Sequence, residues 1–217
     1  MPLYKTITVN PFTKVLIWKI EESFEELSEG IELTPRCRKK VDDMKSEIHS
    51  RGFMSVRQLL ALEGYEDKDL WYDEKGKPHL KDGKNISITH SFVFSAIIIS
   101  NDDVGIDIEK QRSKIIKIGP KFTTIEDYHH IDDDEILMRK LTIVWCAKES
   151  LYKSFARKGM SFYKHIYVED FDPESNETYA TVNFQDKHEN YHIWFHEFDG
   201  FTCAYVLLHE RKHKYFE

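Results

Sequence analysis

The stretch Val104-Gly105-Ile106-Asp107-Ile108-Glu109 alternates apolar residues with others, which is typical of a β-strand. In a strand, its three apolar side chains point into a core, while Gly105, Asp107 and Glu109 share the opposite face. Two neighbouring carboxylates repel each other, so this face needs a cation or a shared proton. Mg²⁺ suits it, because this ion prefers carboxylate oxygens and substrate phosphates. We expect the glycine to let a bulky ligand approach the strand; the alternative is an edge strand with a solvated acidic face.

A second stretch, Glu135 to Ala156, is rich in helix-forming residues and contains no Gly or Pro, so it predicts a long helix. Trp145, Glu149 and Lys153 are spaced four residues apart and therefore share one stripe of that helix. Glu149 would add a third carboxylate to the metal site, and Lys153 would add an ammonium group for a phosphate. The alternative is an ordinary surface pair of these two charged residues, worth about 0.2–0.5 kcal/mol.

The rest of the chain predicts further strands and helices. Thr34-Pro35 is typical of a helix start, and Gly52 is expected to break or kink the helical region that follows. Asn85 to Ser100 has the pattern of a hairpin, with a turn at residues 101–103. After the long helix, four antiparallel strands are predicted at Tyr163 to Phe171, Tyr179 to Phe184, Tyr191 to Phe198 and Phe201 to His209.

Composition restricts the class of protein. The 217 residues are 41% hydrophobic and 32% charged, which is typical of a globular protein. A formal net charge of -7 argues against general nucleic-acid binding. The three cysteines, Cys37, Cys146 and Cys203, form no zinc pattern, and the first residues resemble no signal peptide. Since no long apolar run is present for a membrane span, we expect a reduced, cytoplasmic protein.

Four motifs together resemble the signature of the 4′-phosphopantetheinyl transferases. They are Gly76-Lys77-Pro78, the strand Asn85 to Ser91 with its Thr-His-Ser ending, the stretch 104–109, and Trp-x-x-Lys-Glu-Ser-x-x-Lys at 145–153. All four occur in the family's order and approximate spacing, and the total length resembles that of the longer, single-chain type that serves secondary-metabolite synthases. The family usually has Ser where this chain has Thr89, and we expect this change to preserve function.

The resemblance implies an enzyme that moves the 4′-phosphopantetheine arm of coenzyme A to a serine of an acyl or peptidyl carrier protein. The reaction would depend on Mg²⁺ and release adenosine 3′,5′-bisphosphate. It also implies an α+β fold with two similar, pseudo-twofold-related halves, each a small antiparallel sheet packed on a long helix. The halves would be 1–103 and 104–217, with the active site between them. A single chain that supplies both halves would act as a monomer.

The resemblance also implies roles for individual residues. Metal ligands would be Asp107, Glu109 and Glu149, and catalytic residues would be Glu149, Lys153 and His90. Residues that bind coenzyme A would be Lys77, His90, Lys153, Arg57 and, as weaker candidates, Lys75 and Lys148. Glu149 would act either as the base for the serine or as a metal ligand.

Two other functions are compatible with parts of this pattern. A Mg²⁺-dependent hydrolase of nucleotide pyrophosphates would need the same carboxylates but no carrier protein. A non-catalytic coenzyme A-binding module would not need all three carboxylates. A basic cluster at Arg36, Arg38, Lys39 and Lys40 is a further candidate contact for an acidic carrier; unchanged carrier affinity at low salt after its neutralisation would refute that hypothesis.

Overall fold

The computed structural model describes residues 3–155 and 157–208. The first half of the chain forms β1 (Leu3–Asn10), β2 (Thr13–Lys19), α1 (Phe24–Ser28), α2 (Pro35–Asp42), α3 (Glu47–Leu62), β3 (Leu70–Tyr72), β4 (Pro78–Leu80), β5 (Asn85–Ser91) and β6 (Phe94–Ser100). The second half forms β7 (Val104–Lys110), α4 (Lys114–Ile118), α5 (Asp134–Phe155), α6 (Phe162–His165), β8 (Ile166–Val168), β9 (Glu177–Phe184), β10 (Lys187–Phe198) and β11 (Phe201–Leu208).

The strands form two antiparallel sheets. The first has the order β1-β2-β6-β5-β4-β3 and the second has the order β7-β11-β10-β9-β8. Leaving out β1 and the short helices, each sheet is built from the same order of elements along the chain: one strand, a long helix and then four strands. The predicted α+β fold with two antiparallel sheets is therefore confirmed. The division into halves at residues 103 and 104 stays a prediction.

Three apolar clusters order these elements into layers. The first sheet packs one face against α3, and the second sheet packs one face against α5. The remaining faces pack on each other through β2 and β6 on one side and β7 and β11 on the other. Val104, Ile106 and Ile108 lie fully buried in this middle cluster, as their alternation predicts.

Local signals place most helix starts correctly. The Thr34 side chain accepts a hydrogen bond from the Cys37 N–H, and proline occupies the first turn of α2, so this helix begins where the sequence indicates. The strand predicted at Tyr163 to Phe171 is wrong at both ends, because the Ser161 side chain caps α6 and β8 covers only Ile166–Val168. Ala156 and His209, the predicted last residues of the long helix and the last strand, lie outside the described residues.

Gly52 does not break α3, which continues through it without interruption. A Cβ atom at this position would lie 3.4 Å from Cγ of His90, so the glycine lets the end of β5 pack closely on the helix. In the described part of the chain, no helix combines the length and the apolar character needed to cross a membrane.

Candidate active site

Strand β5 of the first sheet lies against β7, which is at one edge of the second sheet. Side-chain hydroxyls join the two strands. The Ile106 N–H donates to Oγ of Ser87, and the Ile108 N–H donates to Oγ1 of Thr89, each at 3.2 Å. The buried amides of the edge strand are thereby satisfied by the other sheet. This contact brings the carboxylates of β7 beside the end of β5.

Gly105 allows helix α5 to pack directly on β7. A Cβ atom at this position would lie 1.8 Å from the carbonyl oxygen of Ser150 and 3.1 Å from the amide nitrogen of Ser154. No side chain fits at such distances, so the expectation that this glycine admits a ligand is wrong, and its open face is filled by the helix backbone. The close approach places the helical stripe of Glu149 and Lys153 over Asp107.

Lys153 connects this stripe to both strands. Its Nζ donates to Oδ1 of Asp107 at 2.8 Å, to the Ile106 carbonyl at 3.0 Å and to the Ile88 carbonyl at 3.5 Å. The Asp107 side chain is only 8% exposed, while that of Lys153 is 29% exposed. The ammonium group therefore sits partly open at the junction of the two sheets, where it can still reach an anionic ligand.

The three predicted carboxylates influence one another electrostatically. Burial raises the pKa of Glu149 to about 7, with Asp107 and then Glu109 adding to the effect against the opposing charge of Lys153. Burial and then Asp107 also raise the pKa of Glu109. These directions arise when several anions face one desolvated region. The carboxylates at 107, 109 and 149 therefore face a common region, and their shared role as one site stays a prediction.

A divalent cation fits the chemistry of this donor set. Oδ2 of Asp107 is buried and has no hydrogen-bond partner among the described residues, although burying an unpaired charged oxygen is costly. Carboxylate oxygens are the ligands that Mg²⁺ prefers, and its charge would relieve the repulsion. Across the described residues, no group of three or more His, Cys, Asp or Glu side chains is arranged as a complete metal site. The metal-ligand roles of these residues stay predictions.

A cleft of about 760 Å³ adjoins the carboxylates. Four lysines line it: the loop before β4 contributes Lys75 and Lys77, α5 contributes Lys153, and the segment after α5 contributes Lys158. We call this space the lysine cleft. Glu74 is the carboxylate in its wall, so the cleft carries an excess of positive charge and suits a ligand with several phosphates. The sequence motifs did not assign a role to Lys158.

Lys77 also joins the two walls of the lysine cleft. Its Nζ donates to the Ser154 carbonyl in the last turn of α5 at 3.1 Å and to Asp103 at 3.3 Å. The last carbonyls of a helix lack intrahelical partners and carry partial negative charge, so a lysine here is favourable. The contact holds the β4 loop next to the helix that carries Glu149.

His90 stands at the rim of the site, at the end of β5, with its side chain exposed. Packing against its neighbours lowers the pKa of its imidazole, and the positive groups of His49, Lys153 and Lys40 lower it further. The His49 ring centre lies 6.2 Å away. This concentration of cationic groups favours an anion at the rim. Sequence motifs singled out His90, but not His49.

Comparison with known proteins agrees with this geometry. Residues 103–206, which include β7, α5 and most of β11, match the family model of the 4′-phosphopantetheinyl transferase superfamily. A curated 4′-phosphopantetheinyl transferase, gsp of Aneurinibacillus migulanus, is 30% identical over 139 residues. Residues 103–206 are thus similar to the 4′-phosphopantetheinyl transferase superfamily. The match to gsp covers 63% of this chain and 56% of that protein, so the chain spans little more than half of its relative's length.

Two residues that the superfamily resemblance suggested lie elsewhere. Arg57 is 4% exposed, donates to Asp67 at 2.9 Å and stacks on the Phe53 ring at 3.5 Å. This guanidinium lines a separate, smaller pocket with Asp67 rather than the lysine cleft. Its predicted contact with coenzyme A gains no support from this position, and the ion pair indicates a structural role.

Lys148 points away from the lysine cleft. Its Nζ donates to the carbonyls of Phe122, Phe162 and Ile166 at 2.6, 3.0 and 2.8 Å. Burial lowers its pKa to about 8. The predicted contact of Lys148 with coenzyme A gains no support from this position, because the side chain leaves α5 on a different face from Glu149 and ties three backbone segments together.

Proposed function

We propose that this protein transfers the 4′-phosphopantetheine arm of coenzyme A to a serine of an acyl or peptidyl carrier protein and releases adenosine 3′,5′-bisphosphate. The observation that carries the proposal is the carboxylate group around the unpaired, buried Oδ2 of Asp107, next to a cleft with four lysines. Coenzyme A has two anionic regions that could occupy these sites, a pyrophosphate and a 3′-phosphate. Similarity to the superfamily makes this ligand the first choice.

Phosphoryl transfer depends mainly on positioning and on charge neutralisation. In this proposal Asp107, Glu109 and Glu149 hold Mg²⁺, which when bound offsets negative charge on the pyrophosphate. Lys153 and His90 hold phosphate oxygens at the junction of the sheets. Lys77 and Lys75 neutralise the nucleotide phosphates along the β4 side of the cleft.

The attacking serine must lose a proton during transfer. A carboxylate whose pKa is about 7 is suited to accept it at neutral pH, and Glu149 has this property when no metal is bound. Because a metal-bound carboxylate is a weaker base, ligation and proton transfer compete for this side chain. We propose that Glu149 serves one of these two roles.

We propose that the active site lies between the two halves of one chain and that the protein therefore acts as a monomer. We also propose that it acts in the cytoplasm. Support for the monomer comes from the lysine cleft, whose walls are contributed by β4 with its preceding loop and by α5 with the segment after it. A multi-angle light-scattering measurement of the purified protein would test this, and a stable dimer would contradict it.

The test of the function is intact-mass spectrometry of a purified apo carrier protein after incubation with this protein, coenzyme A and Mg²⁺. With wild type or Asp102→Ala, the carrier should gain the mass of phosphopantetheine. With Asp107→Ala, the carrier should gain little or none. Asp102 is the matched control, because it is an exposed carboxylate in the turn before the same strand.

The other outcomes identify the other functions. Cleavage of coenzyme A without any carrier would indicate a pyrophosphate hydrolase. Binding of coenzyme A that survives Asp107→Ala, with neither transfer nor cleavage for acyl and peptidyl carriers, would indicate a binding module. Either result would overturn the proposal.

A further inference from the structure

Three hydroxyl side chains project from alternate positions of β5 towards β7. We call Ser87, Thr89 and Ser91 the hydroxyl row. Ser87 and Thr89 each accept a backbone N–H of β7 at 3.2 Å, so both help to hold the strands together. Thr89 and Ser91, in addition, contact carboxylates of β7. Oγ1 of Thr89 donates to Oδ1 of Asp107 at 3.1 Å, and Oγ of Ser91 donates to Oε2 of Glu109 at 3.3 Å.

The two oxygens of Asp107 are therefore not equivalent. Oδ1 accepts hydrogen bonds from Thr89 and from Lys153, at 3.1 and 2.8 Å. Oδ2 is buried and accepts none from the described residues. Two donors on one oxygen oppose rotation of the carboxylate, and they leave the second oxygen available in a fixed direction. A carboxylate held in this way is prepared for a ligand that the protein itself does not provide.

Glu109 is oriented in a related manner. Its Oε2 accepts the hydrogen bond of Ser91 at 3.3 Å. The carboxylate is half-buried between β5 and α5. Thr89 and Ser91 thus contact two of the three candidate metal ligands, whereas the hydrogen bond of Ser87 goes to the backbone of β7.

We propose that Thr89 and Ser91 are positioning residues, which hold Asp107 and Glu109 in the orientation that binds a divalent cation. This inference rests on the proposed function only in requiring a cation at these carboxylates. The partners of metal ligands characteristically fix ligand orientation, and their loss weakens metal affinity by about 10–100-fold. Thr89 can serve as well as the serine of related sequences, because the essential group is the hydroxyl and not the methyl.

The test is a titration with Mn²⁺, in which electron paramagnetic resonance counts the free ion, with and without coenzyme A. Thr89→Val keeps the shape of the side chain but removes the hydroxyl, and it should weaken Mn²⁺ binding by about 10–100-fold. Thr89→Ser, which keeps the hydroxyl, should retain the wild-type affinity for Mn²⁺. Ser91→Ala, which removes a single weak bond and no backbone acceptor, should weaken binding less than Thr89→Val.

Ser87→Ala is the matched control, because it also deprives one β7 amide of its acceptor. It should lower thermal stability as Thr89→Val does, but its Mn²⁺ affinity should equal that of wild type. Equal losses of Mn²⁺ affinity in Ser87→Ala and Thr89→Val would show that strand docking alone matters, and would overturn the inference. If Thr89→Val does not fold, unchanged Mn²⁺ affinity in Ser91→Ala would overturn it instead.

The same samples are assayed for transfer by mass spectrometry, which separates this inference from the proposed function. Normal Mn²⁺ affinity in Thr89→Val, with transfer by the wild type, would overturn the positioning role and leave the function standing. Weakened Mn²⁺ binding in that variant, with no transfer by the wild type, would support the positioning role and remove the function. A wild type that takes up no Mn²⁺ under either condition would overturn the inference.

Discussion

Replacing Gly105 by alanine tests the packing that builds the site. The added Cβ would lie 1.8 Å from the Ser150 carbonyl oxygen, whereas Cβ atoms essentially never come within 3.0 Å of other atoms, so α5 must move by about 1.2 Å. Both partners are backbone, and no side-chain rotation relieves the overlap. Overpacking in a core costs about 1–3 kcal/mol, and we expect Gly105→Ala to lose about 3 kcal/mol or more.

The displacement should also affect activity, because α5 carries Glu149 and Lys153. A misplacement of about 1 Å can cost about 100-fold in rate, so carrier modification by any folded Gly105→Ala protein should fall by about that factor. Urea unfolding measures the free energy of unfolding, and intact-mass spectrometry measures the initial rate of carrier modification. Activity is measured at a temperature where unfolding curves show the variant to be folded.

Gly64→Ala is the control for the loss of a glycine as such. Gly64 has φ +81°, and a Cβ atom there would meet nothing within 4 Å. Its replacement should cost about 1–2 kcal/mol from the left-handed backbone and leave transfer unchanged. A free energy of unfolding for Gly105→Ala within about 1 kcal/mol of the wild-type value is the size expected for one weak contact. If the variant also retains its transfer rate, the tight contact between α5 and β7 does not position the site.

Two further predictions concern groups outside the metal site. Lys148→Met would leave three buried carbonyls without their donor and should cost about 3 kcal/mol of unfolding free energy in urea. Lys140→Met, which loses an ion pair with the exposed Asp170, should cost under about 1 kcal/mol of unfolding free energy. Equal losses in the two variants would contradict the stabilising role of the Lys148 contacts. Burial, followed by the charge of Lys5, lowers the pKa of His196 from 6.5 to about 4. The unfolded chain therefore binds more protons between these values, so the free energy of unfolding should fall as pH drops from about 6.5 to about 4. His196→Gln should flatten this dependence in urea titrations, and an unchanged slope would refute the assignment.

Local patterns predicted the elements that carry the site. Alternation at 104–109 placed three apolar side chains in a core and three other residues on the opposite face, and the structure has this arrangement. Helical spacing placed Glu149 and Lys153 on one stripe, and both face β7. These inferences succeeded because side-chain direction in a regular element follows from the backbone period alone.

Long-range contacts explain why two predicted ligand contacts gain no support. Arg57 and Lys148 looked like available cations, but Asp67 and three backbone carbonyls engage them in the folded chain. These four partners lie 10 to 26 residues away in sequence, beyond the reach of any local pattern. Gly105 has the same explanation, because the atom that fills its open face belongs to Ser150 on another element.

The sequence by itself determined the fold class, the family resemblance and the residue types that could bind a cation and phosphates, because these depend on periodicity and on motifs of a few residues. Tertiary structure alone decided which of these groups meet. It joined β5 to β7 through hydroxyls, left Oδ2 of Asp107 buried without a partner, and gathered lysines from both halves into one cleft. The physical reason is that the protonation, accessibility and pairing of a charged group depend on its neighbours in space, and those neighbours are distant in sequence.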